Sequence, residues 1–414
     1  MKMCPKVSKQ LSPGDIIGED KPLVYIVDNK FKDKHCNHCF KECQQLRRCS
    51  HCWQLYYCGK DCQSMDWKSY HKNECQIFKQ LGKYMNSYTM EVKLCLRLYF
   101  LLKMDQSFAN QKHQQFDGTE VSLNDIDLKV DELEGDNHYM REFREVRRHL
   151  KDCDIVFDGN DLLHCLTFIQ THRNHAVYPL VLFGCSHETF DIGLGLYTRF
   201  LTLRHSCCPN SALIEQGETR IQLRVLKPLT AGQEVLISYF SIDKNRKTRK
   251  AMLKRLFIDC QCDKCENNID KDVDYELMDE MTEASQSIPN TMFMIMTGSS
   301  QSSVFKKWLS RLPKFLSDLD VVFGEYGSIK TLALRNILDT LVANRCTDKE
   351  LIQSLLKTFV KAIDITHGPK HYYKDMSMKT ILSSNYYLSP INAKVYVGKC
   401  MSVIVRDIMV SNKW

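Results

Sequence analysis

Apolar and polar positions change their rhythm several times along the chain, and each rhythm predicts an element. Leu11–Ile17 and Leu23–Val27 read as two short strands, set around a Pro13-Gly14 turn and a Lys21-Pro22 break. Glu91–Met104 (EVKLCLRLYFLLKM) spaces its apolar residues as a helix does and reads as a buried one. Asn110–Asn137 is polar and acidic, which predicts a surface loop. Tyr139–Lys151 has the pattern of a basic amphipathic helix. Asp161–Thr171 reads as another helix with Asp near its N-cap. From Tyr178 to Tyr239 short runs of Val, Leu, Ile and Phe alternate with Gly, Pro and Asn, the pattern of β-structure. Asp243–Phe257 returns to helix. Beyond about Asn268 only helices are predicted: Tyr275–Ser285, Ser303–Leu319, Ile329–Ala343, Asp348–Ile365 and Ala393–Met409. Such a run suits a helical-repeat array, although no clean self-similarity and no low-complexity tract is seen.

Composition narrows the class. The chain has 414 residues, 43% hydrophobic and 26% charged, enough for a real core and two to four domains. Disorder, collagen and membrane classes fit poorly. Met1–Gln10 carries no apolar signal core, Val177–Phe183 is too short to cross a bilayer, and Ser411-Asn412-Lys413-Trp414 is not a lipidation box. An intracellular protein with no membrane association is therefore expected. The net charge of +7 permits acidic or nucleic-acid partners without demanding them.

The 20 cysteines alter the picture more. In a reducing compartment a concentration of thiols points to metal rather than disulfides. The spacing Cys36-x2-Cys39-x9-Cys49-x2-Cys52-x5-Cys58-x3-Cys62-x8-His71-x3-Cys75 supplies eight ligands, enough for two tetrahedral zinc sites. The interleaved partition puts Cys36, Cys39, Cys58 and Cys62 on one ion. Cys49, Cys52, His71 and Cys75 hold the other. Four protein ligands close each site, so neither is catalytic. The competing reading is a redox or disulfide cluster. Cys43, His35, His38 and His51 are surplus bystanders, though Cys43 could displace a neighbour. A second group, Cys260-x-Cys262-x2-Cys265, is one ligand short, and Cys207 could complete it from far away in sequence.

Leu46-Arg47-Arg48-Cys49-Ser50, Tyr57-Cys58, Trp67 and His71-Lys72-Asn73-Glu74-Cys75 give the first cluster the look of a MYND zinc finger. Arg204-His205-Ser206-Cys207-Cys208-Pro209-Asn210 and Gly232-Gln233-Glu234-Val235-Leu236-Ile237-Ser238-Tyr239 resemble a SET domain, the fold of many protein-lysine methyltransferases. Finger, SET core and cysteine-rich post-SET together resemble the SMYD family over about residues 1–268. The resemblance implies an α+β fold with a SET-type β-core split by the inserted finger. Residues 1–30 would be the N-terminal part of SET, 31–80 the finger, 81–177 a helical insert, 178–242 the SET core, and 243–268 the post-SET. Residues 269–414 would form an all-helical, tetratricopeptide-like domain.

The resemblance also implies the chemistry. Methyl transfer from S-adenosylmethionine needs a neutral lysine amine, held in line in a narrow apolar channel. Tyr239 stands at the family's catalytic tyrosine, Phe183 at a channel-lining position, and Arg204 and His205 in the cofactor-binding motif. Three zinc ions, S-adenosylmethionine, a histone or non-histone protein substrate, proline-rich partners of the finger, and a monomer in nucleus and cytoplasm follow. So does a role in chromatin and transcription. Four departures touch the cofactor side. Lys2-Met3-Cys4-Pro5 lacks the family's glycines, Arg204 replaces Asn, Val181 replaces Asn, and Ile258 with neighbouring Phe257 stands where an aromatic stacks on adenine. They motivate a second reading, a catalytically silent scaffold that recruits partners through the finger and the helical tail. Lys244, Arg246, Lys247, Arg249, Lys250, Lys254 and Arg255 motivate a third, weak DNA contact, against the plainer reading of a solvated helix face.

Overall fold

The computed structural model describes residues 5–126, 128, 137–172, 174–179, 189–216, 219–256, 258–287, 301–343, 346–371 and 374. Strand Ile221–Val225 lies between Ile16–Asp20 and Ser211–Glu215 in an antiparallel sheet. Its Ile221, Leu223 and Val225 are buried while Gln222 on the other face bonds to Glu19. Apolar and polar residues alternate with period 2, and Arg224, on the Gln222 face, is buried as well. The first strand starts at Ile16, five residues later than the apolar pattern predicts. Gly14 turns the chain at φ +97° and the Ser12 amide donates to Asp15 Oδ2 at 2.8 Å. Leu11 keeps a single bridge to Leu229.

A second sheet centres on Thr189–Leu196, between Val24–Val27 and Asn174–Pro179. All four residues of Val24–Val27 are buried, so that strand reads as an unbroken apolar run. The partner strand begins at Asn174, ahead of the apolar residues from Tyr178 onward. Gly193 faces Val27 across the ladder. A Cβ there would lie 2.3 Å from the ring of Phe40 and 2.4 Å from the Ile26 carbonyl, so only glycine lets the cysteine-rich segment lie on this strand.

Helix Met90–Met104 is the spine of the N-terminal half. Thr89 caps it by accepting from the Val92 amide at 3.3 Å, and every residue from Val92 to Leu101 is buried. It packs on Val24–Val27, on helix Lys72–Gln80 and on helix Gly159–His172. Helix Asn137–Asp152 turns Phe143, Val146 and Leu150 inward and leaves its arginines in solvent. The expected loop before it contains a small hairpin, His113–Gln114 against Glu120–Val121. Asp117-Gly118 forms the turn, with Gly118 at φ +87°.

Four helices, Tyr275–Ser287, Gln301–Phe323, Ser328–Ala343 and Lys349–Thr366, share a separate core that includes Trp308, Leu312, Phe315, Leu338 and Phe359. The second passes through Pro313, where burial of Leu312 and Phe315 outweighs a cost of about 3 kcal/mol, and ends before Gly324 at φ +74°. The helix expected at Ala393–Met409 lies outside the described residues. Arg224 stitches this bundle to the first sheet, donating to the carbonyls of Ile365 at 3.1 Å, Asp364 at 3.3 Å and Gly14 at 2.9 Å.

Replacing Gly193 by Ala forces Phe40 or strand Val24–Val27 to move. Chemical denaturation is expected to show a loss of about 1–3 kcal/mol, typical of overpacking. An unchanged midpoint would mean that the finger shifts freely on the sheet.

Candidate metal centres and the crossing at His205 and Tyr239

The structure gathers three sets of ligand atoms, each lying within 4.8 Å of one another: Cys36, Cys39, Cys58 and Cys62; Cys49, Cys52, His71 and Cys75; Cys207, Cys260, Cys262 and Cys265. A zinc ion bonded to sulfur at about 2.3 Å requires tetrahedral S···S edges of about 3.8 Å. The separations fit: Cys39 to Cys58 3.8 Å, Cys49 to Cys75 3.7 Å, and Cys207 to Cys265 3.6 Å. His71 presents Nε2 to Cys52 at 3.4 Å and to Cys49 at 3.3 Å. Without a cation these thiols compete for protons. A hydrogen bond from Cys39 pulls Cys36 down to about 4, and the same bond drives Cys39 far up. A divalent cation is what would let all four ionise together.

The finger is local. A two-residue ladder, Arg47–Arg48 with Tyr56–Tyr57, holds two Cys-x2-Cys turns, and helix Lys60–Asp66 carries Cys62. One wide turn at Trp67–His71, of the π type, then joins it to Lys72–Gln80 and sets His71 beside Cys75. The surplus histidines have other partners. His35 bonds to the Phe40 carbonyl, His38 to the Tyr25 hydroxyl and His51 to Gln76 Oε1, each at 2.8 Å. Cys43 Sγ reaches the Lys41 carbonyl at 3.7 Å. The surplus Cys208 hydrogen-bonds to Cys262 in the third set, and that bond, with burial, pushes its thiol up.

Two carboxylates and an arginine behind the second set were missed from the sequence. Glu74 Oε1 accepts from His71 Nδ1 at 3.2 Å, which fixes the tautomer that leaves Nε2 for a metal. Arg97, fully buried, donates to Glu74 at 3.0 and 2.5 Å and to the Tyr25 carbonyl at 2.7 Å, with Asp66 at 3.6 Å. Burial alone would raise the Glu74 carboxyl, but Arg97 overrides it and holds the pKa low. For Asp66 burial wins over Arg97 and the pKa is raised. The signal in the sequence was a cation inside an apolar helical run.

The third set joins distant segments. Arg204–His205 pairs in parallel with Leu236–Ile237, continued by the Ser206 amide to the Ile237 carbonyl at 2.8 Å. Asn210 locks the crossing, accepting from the Leu236 amide and donating to the Glu234 carbonyl, both at 2.9 Å. Val7 and Pro5 bond alongside to Gln233 and Val235. Tyr239, partly exposed, donates its hydroxyl to the Leu203 carbonyl and its amide to His205 Nδ1 at 3.1 Å. The His205 ring stacks on Phe240 at 5.0 Å, and burial lowers its pKa to about 4, so the imidazole stays neutral. Arg204 points away from this crossing to Glu234 at 3.5 Å and is more than half exposed. Phe183, Val181, Phe257 and residues 2–4 lie outside the described residues. In helix Arg246–Arg255, Lys247, Lys250 and Lys254 are exposed, but Arg249 is fully buried against Asp270 at 2.5 Å.

Comparison with known proteins gives first the module and then the kin. The MYND finger family model matches residues 36–75. The chain is 28% identical over 273 residues to "Histone-lysine N-methyltransferase SMYD3" of Homo sapiens, covering 65% of this chain and 60% of that protein. It is 27% identical over 266 residues to "Histone-lysine N-methyltransferase ASHR1" of Arabidopsis thaliana, covering 63% and 52%. To "N-lysine methyltransferase SMYD2" of Homo sapiens it is 25% identical over 268 residues, covering 63% and 56%. The chain thus spans a little over half the length of these relatives. The resemblance to the SMYD family drawn from its motifs is borne out: the chain matches the MYND finger over residues 36–75 and is similar to proteins named as lysine methyltransferases.

Arg97→Met is expected to cost about 3–5 kcal/mol, because it strips the buried Glu74 carboxylate of its guanidinium and leaves it only His71, and Arg97→Met with Glu74→Gln to recover part of that. Equal denaturation curves for the single and double variants would show that the pair is not coupled. Chelation followed with a metallochromic dye is expected to release zinc last from the Cys49, Cys52, His71 and Cys75 set, whose four residues are all buried. Selective labelling of Cys49 or Cys75 before Cys58 would contradict this.

Proposed function

We propose that the chain is a SET-fold protein-lysine N-methyltransferase that uses S-adenosylmethionine. The observation that carries this reading is the crossing itself: the Leu203–His205 segment grips Tyr239 at both its hydroxyl and its amide. The relatives named as lysine methyltransferases support it. On this reading the cofactor supplies an electrophilic methyl group. Tyr239 and the Leu203 carbonyl form the polar rim beside a lysine amine, and Phe183 lines its channel. His205 and Arg204 belong to the cofactor-binding motif. Arg204 reaches Glu234 at 3.5 Å at the surface.

The proposed organisation keeps the six segments expected from the sequence, with a zinc ion in each of the three ligand sets. Residues 243–268 clamp the core through Cys207, and residues 269–414 form the tetratricopeptide-like wall. The proposed substrates are histone or non-histone proteins, and proline-rich peptides are the proposed partners of the finger. We also propose weak DNA contact through Lys247, Lys250 and Lys254, a monomeric state, and work on chromatin and transcription from nucleus and cytoplasm. Among the described residues no helix is long and apolar enough to cross a membrane.

The silent-scaffold reading keeps one specific support, the absence of any glycine in Lys2-Met3-Cys4-Pro5, where the family places its cofactor turn. Titration calorimetry with S-adenosylmethionine separates the two. Saturable heat is expected, together with methyl incorporation into a protein substrate that falls about 100-fold or more in Tyr239→Phe while cofactor affinity is retained. No heat at millimolar cofactor would leave the scaffold reading standing.

A further inference from the structure

His205 stands between two groups that set its protons. The backbone amide of Tyr239 can only donate, and it points at His205 Nδ1 from 3.1 Å, so Nδ1 must be the acceptor. A ring nitrogen that accepts carries no proton, so the N–H of the imidazole sits on Nε2. That nitrogen lies 3.3 Å from the sulfur of Cys207. Cys207 in turn belongs to the third ligand set, with Cys265 3.6 Å away. A metal-bound thiolate retains lone pairs and accepts such an N–H.

We propose that His205 is a positioning residue that couples the third metal centre to Tyr239, donating Nε2–H to the Cys207 thiolate while Nδ1 holds the Tyr239 amide. The zinc ion fits the ligand set, and the link adds one layer outside it. The metal fixes the Cys207 sulfur, the sulfur fixes the tautomer and tilt of the imidazole, and the imidazole fixes the start of the Tyr239–Phe240 segment. Phe240 stacks on the open face of the ring, with planes 21° apart, and keeps the ring from rotating out of this line. The Tyr239 hydroxyl is anchored separately on Leu203, one residue before the Arg204–His205 strand. Both ends of Tyr239 thus depend on one short segment, and Cys207 ties that segment to a metal. A histidine that only filled space would need neither nitrogen aimed at a partner. The consequence for methyl transfer rests on the role proposed for Tyr239; the link itself does not.

The test uses the full zinc-loaded chain. In the wild-type protein, nitrogen NMR of the histidine rings should show the Nε2–H tautomer for His205, and an Nδ1–H tautomer would overturn the proposal. His205→Phe keeps a ring to stack on Phe240 but removes both nitrogens. Chelator competition should then release one zinc equivalent about 10-fold faster, the low end for loss of an outer-shell partner, with the remaining zinc unaffected. His205→Gln, which returns an N–H donor, should restore part of the difference. Hydrogen exchange at the Tyr239 amide should accelerate in His205→Phe and also in Cys260→Ser, which removes a ligand of the third set other than Cys207. Unchanged release in His205→Phe, equal acceleration of all zinc, or an unaffected Tyr239 amide in Cys260→Ser would each overturn the coupling. None of these readouts involves methyl transfer, so a failure to bind S-adenosylmethionine would sink the proposed activity and leave this link intact.

Discussion

The N-terminal half depends on one buried guanidinium. Arg97 lies in the middle of an apolar helix and meets, within hydrogen-bond or ion-pair reach, a strand carbonyl at Tyr25 and the finger carboxylates Glu74 and Asp66. Desolvating such a charge costs several kcal/mol, so the helix can bury only if the finger brings its carboxylates to that place. The finger has the reciprocal need. Its segment is too short for a core of its own, and His71, one of its ligands, takes its orientation from Glu74. Helix, strand and finger therefore form one cooperative unit. The interaction specifies where the finger sits; the apolar burial around Phe40, Tyr57 and Phe78 supplies the driving force.

The third ligand set repeats this logic with the signs exchanged. Four thiolates on a divalent ion would leave a net charge of about −2, which is costly in a half-buried site. Two cations stand near it. Arg249 is fully buried with Asp270, and Lys264 donates to the Val322 carbonyl at 3.0 Å while burial lowers its pKa. Val322 belongs to the C-terminal helix Gln301–Phe323, so the bundle holds a side chain of the short helix Asp263–Glu266 that carries Cys265. The bundle meets the β-part again through Arg224 and through His371, which bonds to the Glu215 carbonyl at 2.8 Å. Polar groups in well-defined places, more than a broad apolar face, fix its position on the core.

These arrangements explain what could be read from the chain alone. Ligand chemistry is legible because zinc dictates both residue type and short spacing, and the grouping of Cys36 to Cys75 follows from two Cys-x2-Cys turns and one His-x3-Cys helix face. Helix Met90–Met104 is legible because ten successive buried residues leave no polar stripe. Arg97 was legible only as an anomaly, since its partners lie 23 and 31 residues away and no local rule pairs them. The same holds for Arg249, which reads as one more surface charge in a basic helix until Asp270 folds against it. Strand starts were missed where backbone turns decide them, as at Gly14, and the hairpin after Asn110 was missed because its strands are two residues long. Register and long-range ion pairing are tertiary properties, and local pattern carries little of either.

The cofactor side can be weighed on the same terms. Substituting Arg for Asn at position 204 would be decisive if the guanidinium lay inside the crossing, where an unpaired cation is intolerable. It lies outside, shared with Glu234, and the backbone of residues 204–205 still makes its parallel pairing with Leu236–Ile237. On the proposed reading the substitution removes an amide from the cofactor-binding motif without deforming the frame. Asn210, His205 and Cys207 hold that frame through contacts that do not use the side chain at 204. Weakened contacts in a preserved frame predict a lower affinity for the ligand, whereas a collapsed frame would predict none. Arg204→Asn, which restores the family residue, is thus expected to tighten S-adenosylmethionine binding by about 1–2 kcal/mol, the worth of one or two recovered hydrogen bonds, without altering zinc content.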